Sequence, residues 1–375
     1  MDSQPRIVIT GFGLSGCLLT RMLLEREHPF LSITIIDETF QTEEKHLCFI
    51  RNKHIPERFI KKEWNRISMK DIDGNEVKRS LSNESYKLLD WVELQRDTLQ
   101  LCKNHAHVNL IKGRIQDIEE CDEQVLITLD NDKSVEADKL YNSVVLNPSK
   151  SDLIQQFKGA IVELDQDTFD PSEVRLMDFH SHEQDEHVEF RYDLPYSARK
   201  ALIEYTIITT TPMSRALLDA RFNNLLSQFN HNYSLSSVEC GAIPMPTSQR
   251  AIINTSKIFN IGLAGGFQRR SSGYLLQTVH DEVKHWLDFL NDPTPLQAKK
   301  EKLKEYLDTV FLSVIKANPS LAQGLFLSMF RGTSGDQFLK FMFNSISWKT
   351  ALPIVLSLPK TPFLKHAAVH IKGLF

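Results

Sequence analysis

The stretch Ile7-Val8-Ile9-Thr10-Gly11-Phe12-Gly13-Leu14-Ser15-Gly16 decides the fold. Four apolar or β-branched residues make a short strand, a G-x-G-x-x-G turn follows, and Cys17 to Glu27 reads as a helix. Each glycine has its own steric task. Gly11 permits the tight turn, Gly13 lets the backbone approach a pyrophosphate, and Gly16 lets the helix pack close to the sheet. The helix start, from Leu14 on, offers amide donors and positive potential to phosphates. A second strand, Ile33-Thr34-Ile35-Ile36, ends in Asp37, about 20 residues on, where a ribose-binding acid belongs. Strand, turn, helix, strand and acid together predict a dinucleotide site.

A later segment separates flavin from nicotinamide. Ile258-Phe259-Asn260-Ile261-Gly262-Leu263-Ala264-Gly265-Gly266 reads as a strand entering a glycine loop, and Ser272-Gly273-Tyr274 opens another helix. Two-part FAD proteins return late in the chain to their first domain in this way, so Gly265, Gly266 and Gly273 join the cofactor-binding candidates. Leu263 stands where many flavin hydroxylases carry an Asp, which counts against an ordinary hydroxylase.

Between these segments the chain is rich in strands. Phe190 to Ser197 and Ala201 to Thr206 read as two strands joined by a Pro-containing turn. Leu202, Glu204 and Thr206 point one way, whereas Ile203, Tyr205 and Ile207 point the other. A carboxylate in so apolar a strand is costly unless paired or protonated. Glu204 is therefore either a core glutamate bound to Lys or Arg, or a buried acid. Residues 41–85 read as irregular, Leu88 to Asn104 as a helix, and Val108 to Ile115 as a strand. Gln124 to Val144 reads as a hairpin about Asp130-Asn131-Asp132-Lys133, and residues 213–231 as tending to helix. The last 85 residues read as all-helical.

Composition excludes several classes. The 375 residues suit two domains or one elaborated domain. A net charge of -4 with mixed signs points to no nucleic-acid partner. Cys17, Cys48, Cys102, Cys121 and Cys240 are odd in number and lack a CxxC pair, which fits a reducing cytoplasm and no zinc site. Cys240 reads as a buried neutral thiol. His180, His182 and His187 cluster with Glu183, Asp185 and Glu186, but the spacing matches no strong metal-ligand pattern and reads as a solvated hairpin tip. No signal-peptide layout and no run of roughly 20 apolar residues is apparent. From Gln337 onward there is no Asp or Glu; Lys340, Lys349, Lys360, Lys365 and Lys372 alternate with apolar clusters. That composition suits either an interfacial surface on an anionic membrane or a basic-faced packing unit.

Taken together, the blocks resemble the lycopene cyclase family along nearly the whole chain. The resemblance is carried by Gly11 to Gly16, Phe157-Lys158-Gly159, Leu176-Met177-Asp178-Phe179, Leu194-Pro195-Tyr196-Ser197 with Leu202 to Thr206, Glu239-Cys240-Gly241-Ala242-Ile243-Pro244-Met245, Ala264-Gly265-Gly266 and Leu307 to Leu312. It implies an α/β fold: a two-part FAD-binding Rossmann-like domain with an inserted antiparallel-sheet substrate domain and a C-terminal helical region. The expected parts are 1–150 and 238–292 for FAD, 151–237 for substrate, and 293–375 for the helical region. It further implies redox-neutral closure of β-ionone rings on lycopene, with reduced FAD maintained by NADPH, in the cytoplasm on the inner face of a membrane. Glu204 falls on the essential carboxylate, and Asp178 and Glu239 on further acidic positions. A reductase or monooxygenase acting on an isoprenoid, and a non-catalytic polyene carrier, remain as alternatives. Three departures stand out. Tyr205 replaces a second acid found in plant relatives, His46-Leu47-Cys48-Phe49 stands where a Thr-Trp pair is usual, and Gln268-Arg269-Arg270-Ser271 is unusually basic.

The chemistry sets a demand. Free Glu titrates near ~4.3, so half-protonation at neutral pH needs a shift of about 3 units, or about 4 kcal/mol. Desolvation and a second nearby acid both act in that direction. Phe179, Phe190, Tyr192, Tyr196 and Tyr205 are candidate aromatic faces for a cation.

Overall fold

The computed structural model describes residues 5–25, 32–41, 43–51, 55–146, 152–180, 187–229, 231–248, 252–291, 302–343 and 347–370. Strand Arg6–Thr10 lies inside a five-stranded parallel sheet. Its neighbours are Lys139–Asn142 on one side and Ser32–Asp37 on the other, with Ile258–Asn260 and Val108–Lys112 at the edges. Period-2 alternation gives this sheet two buried faces. Ile7, Ile9, Ile33 and Ile35 pack on helices Leu14–Glu25, Trp91–Asn104 and Leu276–Asn291. Val8, Ile36 and Leu140 pack on a three-stranded antiparallel sheet whose core is Val125, Ile127 and Leu129. Helix Trp91–Asn104 starts where Asp90 accepts a hydrogen bond from the Glu93 amide.

The second layer is a seven-stranded sheet. Its order is Tyr233–Met245, Leu153–Leu164, Lys200–Thr209, Val188–Pro195, Glu173–Asp178, Arg66–Lys70 and Glu76–Ser80. All pairs are antiparallel except Glu173–Asp178 with Arg66–Lys70. The expected alternation in Lys200–Thr209 is what sorts its side chains. Ala201, Ile203, Tyr205 and Ile207 pack against helix Arg215–Leu226. Leu202 and Ile208 face the opposite way, into a core shared with the C-terminal helices.

Residues 41–85, read as irregular, instead contain strands Cys48–Phe49, Ile60–Trp64, Arg66–Lys70 and Glu76–Ser80. Glu76–Ser80 is an edge strand with alternating exposed residues, among them Glu76 and Lys78. Charges on a solvated edge blur the apolar signal of a strand. These two strands join the seven-stranded sheet from within 1–150, and the boundary expected at 237 falls inside strand Tyr233–Met245. The boundaries at 150 and 292 lie outside the described residues.

Helices Lys302–Ala317, Ala322–Arg331, Gly335–Met342, Trp348–Ser357 and Lys360–His370 form the C-terminal cap. Among the described residues, no single helix is long and apolar enough to cross a membrane. Lys302–Ala317 and Pro319–Arg331 reach the required composition only as a pair bent by 114°. Their apolar residues Leu312, Val314, Leu325 and Phe330 are buried in the shared core.

Two arginines staple this cap to the returning glycine loop. Arg269 is wholly buried, 3.1 Å from Asp308, with Ser271 Oγ donating to Asp308 at 2.6 Å. Its guanidinium lies 4.4 Å from the centre of the Phe341 ring. Arg270 donates to the carbonyls of Pro246, Thr247 and Glu305 and to Thr309 Oγ1. A buried ion pair stripped of one partner leaves an uncompensated charge, at a cost of about 3–5 kcal/mol. Arg269→Met is therefore expected to lower unfolding free energy by about that amount. Replacing Asp308 by Leu in the same variant should recover much of the loss in chemical denaturation.

Candidate active site

A cavity of about 820 Å³ opens between the seven-stranded sheet, the cap and the glycine loop. That volume lies within the ~300–1,000 Å³ of pockets that enclose a sizeable organic ligand. The sheet contributes Phe157, Phe190, Tyr192, Glu204 and Glu239; the cap contributes Phe326, Phe338 and Met342. Glu43 to Cys48 and Ser271 to Leu276 close the remaining sides.

The sheet register produces the central arrangement. Gly159 on strand Leu153–Leu164 pairs with Glu204 on one neighbour and with Glu239 on the other. Glu204 in turn pairs with Tyr192. Directly opposed residues of antiparallel strands share a face, so Glu239, Gly159, Glu204 and Tyr192 form one row across four strands. Gly159 puts no side chain between the two carboxyl groups. A Cβ there would lie 3.4 Å from that of Glu204 and 3.3 Å from the Ile203 carbonyl oxygen. Just before Glu239 the strand bulges, with Ser237 at φ +50°. Bulges of this kind re-aim the side chains beside them.

Glu204 is partly exposed where it faces the cavity. Burial pushes its pKa up to about 8, the negative charge of Glu239 pushes the same way, and the hydrogen bond from Thr206 Oγ1 (2.6 Å) opposes both. No Lys or Arg partners it among the described residues, so the reading as an ion-paired core residue gives way to that of a buried acid. Glu239 accepts a hydrogen bond from His46 Nδ1 at 2.7 Å.

Hydroxyls line the floor of the cavity. Tyr192 and Tyr274 each lie 2.8 Å from Tyr86 Oη, and Cys48 Sγ lies 3.6 Å from Tyr192 Oη. Burial raises the pKa of all three phenols and lifts the Cys48 thiol to about 12. These groups stay neutral at physiological pH and supply no competing nucleophile.

The glycine turn retains room for a ligand. Gly11 has φ +85° and sits against Ser143, and a Cβ on Gly16 would overlap the Gly11 carbonyl oxygen at 1.9 Å. Gly13, by contrast, has nothing within 4 Å of an added Cβ, the open face that a pyrophosphate requires. Leu14 opens the helix behind it. Asp37 accepts from the Phe12 amide at 2.7 Å and from the Thr39 and Phe40 amides. It braces the turn and keeps acceptor capacity for a ribose hydroxyl. Gly266 and Gly273 have φ +66° and +76°, while Gly265 packs against the Asn260 carbonyl, so the returning loop needs all three. Helix Leu276–Asn291 follows this loop. The residues present fit a dinucleotide reaching from Gly13 toward the cavity wall at Ser271 to Tyr274.

The sequence profile described as lycopene cyclase protein matches residues 6–368. The chain belongs to the lycopene cyclase family. No individual curated protein matches the sequence. Among solved structures, the chain is similar to a geranylgeranyl bacteriochlorophyll reductase-like protein from Thermoplasma acidophilum, at 12% identity and TM-score 0.69 over 99% of each chain. It is also similar to HpxO from Klebsiella pneumoniae complexed with FAD, at 12% identity and TM-score 0.63 over 93% of this chain and 99% of that one. These likenesses establish the fold of flavin-dependent oxidoreductases, here in a lycopene cyclase family member.

Against the family's acidic positions, the structure brings Glu204 and Glu239 together but leaves Asp178 out. Asp178 lies 3.5 Å from both Arg175 and Arg191 and 3.8 Å from Lys70. It pairs in register with Arg191, and Arg191 with Tyr205, which is the face covered by helix Arg215–Leu226. Bulges between Arg175 and Asp178 shift the strand's alternation and turn this acid away. Tyr205 shares that face, so the missing second acid of plant relatives is a change outside this cavity. Of the other aromatic candidates, Phe190 and Tyr192 line the cavity, Phe179 packs behind Phe190, and Tyr196 packs beside His46. The basic loop is accounted for by its staples to the cap. Cys240 is exposed, not buried. Of the His and acid cluster, residues 181–186 lie outside the described residues. No metal-holding group of three His, Cys, Asp or Glu occurs among those described.

The raised pKa of Glu204 carries a sign. Between about 4.5 and about 8 the folded protein holds a proton that the unfolded chain has released, so stability falls as pH rises through that window. The slope is at most about 1.4 kcal/mol per pH unit. Denaturation curves taken across the window should show this slope in the wild type and a flatter one in Glu204→Gln.

Proposed function

We propose that this chain is a flavin-dependent carotenoid cyclase, closing β-ionone rings at the linear ends of lycopene or a related polyene without net redox change. One observation carries the reading: a carboxyl group, Glu204, with no Lys or Arg partner among the described residues, sits in a cavity beside a cofactor loop, with a second acid, Glu239, in the same row. Membership of the lycopene cyclase family supports the substrate class.

FAD would be held by Gly11, Gly13, Leu14 and Gly16 at its pyrophosphate, by Asp37 at its ribose, and by Gly265, Gly266 and Gly273 near its ring. Bound in the reduced state with NADPH as the source of electrons, it supplies negative potential beside the developing cation. The protein performs the rest. Glu204 delivers its proton to the terminal double bond. The adjacent double bond attacks the tertiary cation, and a six-membered ring closes. Phe190, Tyr192 and Phe157 line the cavity around that charge, and a ring face turned to it is worth about 0.5–2 kcal/mol. The cap excludes water that would capture the cation as an alcohol.

The polyene is delivered from lipid, so the reading includes docking on the inner face of an anionic membrane. Trp348, Leu352, Val355 and Leu356 are exposed along one helix, with Trp348 69% and Leu356 63% accessible. Leu364 and Val369 are exposed on the next helix, and Lys349, Lys360 and Lys365 lie among them. Apolar groups ringed by lysines suit the interface of an anionic bilayer.

Incubation of the purified protein with reduced FAD and lycopene, without oxygen, tests the reaction. Ring-closed product of unchanged mass is expected. A gain of hydrogen or oxygen would make it a reductase or oxygenase instead, and binding without conversion a carrier. Glu204→Gln should retain FAD yet lose cyclisation by about 10²-fold or more, as removal of a general acid does.

For docking, a Trp348→Ser, Leu352→Ser, Leu356→Ser variant should no longer float with anionic vesicles; flotation equal to wild type would remove this surface as the anchor.

A further inference from the structure

Cyclisation needs two proton transfers, and the row of acids accounts for one. A proton enters at the inner, CH carbon of the terminal double bond. Another must leave the ring, and the carbon that gives it up fixes where the ring double bond lies. Glu204 serves the first step. The second requires a base inside the cavity with a lone pair that is not already engaged in a hydrogen bond.

His46 meets that description. Its side chain is 4% exposed and lines the cavity. Nδ1 lies 2.7 Å from Glu239 Oε1. A carboxylate only accepts, so Nδ1 carries the hydrogen, and in the neutral ring Nε2 then keeps its lone pair. Among the described residues Nε2 is buried without a hydrogen-bond partner. Such an orphan costs about 1–3 kcal/mol and asks for a use. Glu239 also sets the ring's orientation and favours the imidazolium that would form, as acids behind catalytic histidines do. Tyr196 packs edge-on to the ring at 6.4 Å and limits its rotation. Of the other groups that line the cavity, the tyrosines and Cys48 are neutral and mutually hydrogen-bonded, and Glu44 is paired with Lys61.

We propose that His46, oriented by Glu239, is the base that removes the ring proton and so determines the ring isomer; the inference rests on the cyclase reading above. The balance is complete. The O–H bond of Glu204 breaks and a C–H bond forms at the inner, CH carbon of the terminal double bond, leaving the tertiary cation on its dimethyl carbon. The ring C–C bond forms from the neighbouring double bond. A ring C–H bond then breaks, its proton passes to His46 Nε2, and its electron pair becomes the new double bond. Substrate and product are isomers. One proton has moved from Glu204 to His46, and Glu239, bonded to His46 and facing Glu204 across Gly159, lies on the return route.

The test compares wild type, His46→Gln and Glu239→Gln under the same anaerobic conditions, with ring isomers separated and assigned by NMR. Wild type should give one ring isomer. His46→Gln should consume substrate about 10²-fold more slowly and give a mixture of double-bond isomers and trapped alcohol. Glu239→Gln should give the same mixture, which keeps the test informative should the first variant fold poorly. Unchanged isomer ratio and rate in the variants would overturn the role of His46, leaving the cyclase reading intact. Absence of ring closure in wild type would overturn that reading and the inference with it. Nitrogen-15 NMR of histidine-labelled wild type, which needs neither flavin nor substrate, should find His46 Nδ1 protonated and Nε2 bare at neutral pH. A proton on Nε2 would overturn the proposal.

Discussion

Two carboxylates that face one another across Gly159 on one half-enclosed sheet face repel, and each disfavours the charge of the other. Glu204 and Glu239 meet this constraint by dividing roles. Glu239 has His46 to stabilise its charge, whereas Glu204 has only a threonine hydroxyl and apolar walls. The proton therefore settles on Glu204. Gly159 makes the division possible, because any side chain there would stand between the two acids. An acid that protonates an alkene must be held in its neutral form, and burial together with this row of residues holds it so.

The rest of the molecule serves that row. The parallel sheet places its glycine turn at one end and its returning loop against the cavity wall. The antiparallel sheet sets the acids on one face and gives the other to helix Arg215–Leu226. The cap contributes Phe326, Phe338 and Met342, which complete an enclosure that the sheet lacks. Low polarity in this enclosure raises the pKa of Glu204 and also protects a carbocation from water. One physical property thus supports two chemical needs.

Much of this was legible in the chain itself. Gly11, Gly13 and Gly16 each carry a local steric reason, and the alternation in Lys200–Thr209 fixes which side Glu204 faces. What sequence could not supply was lateral register. His46 and Glu239 are 193 positions apart, and only strand pairing together with the placement of Glu43 to Cys48 brings them to 2.7 Å. Asp178, named from the family resemblance, lies on the other face for a related reason: bulges shift its strand, and they leave no mark in the sequence. The edge strand Glu76–Ser80 was hidden by its charges. The one available sign of His46 was its place in a segment that departs from the usual family pattern.

The stapling of Arg269 and Arg270 into the cap limits how a long polyene can reach the acids. Lifting the cap would drag the cofactor's seat with it and expose two internal guanidinium groups. A doorway on that side is energetically closed. The rim formed by the outermost strand is different: Val238 and Cys240 both border the cavity and both meet solvent. A threadlike molecule sliding in there, end first, would leave cap and flavin loop undisturbed, and its far end would trail outside. Each end would then have to enter in turn, so that two-ended processing becomes two separate visits.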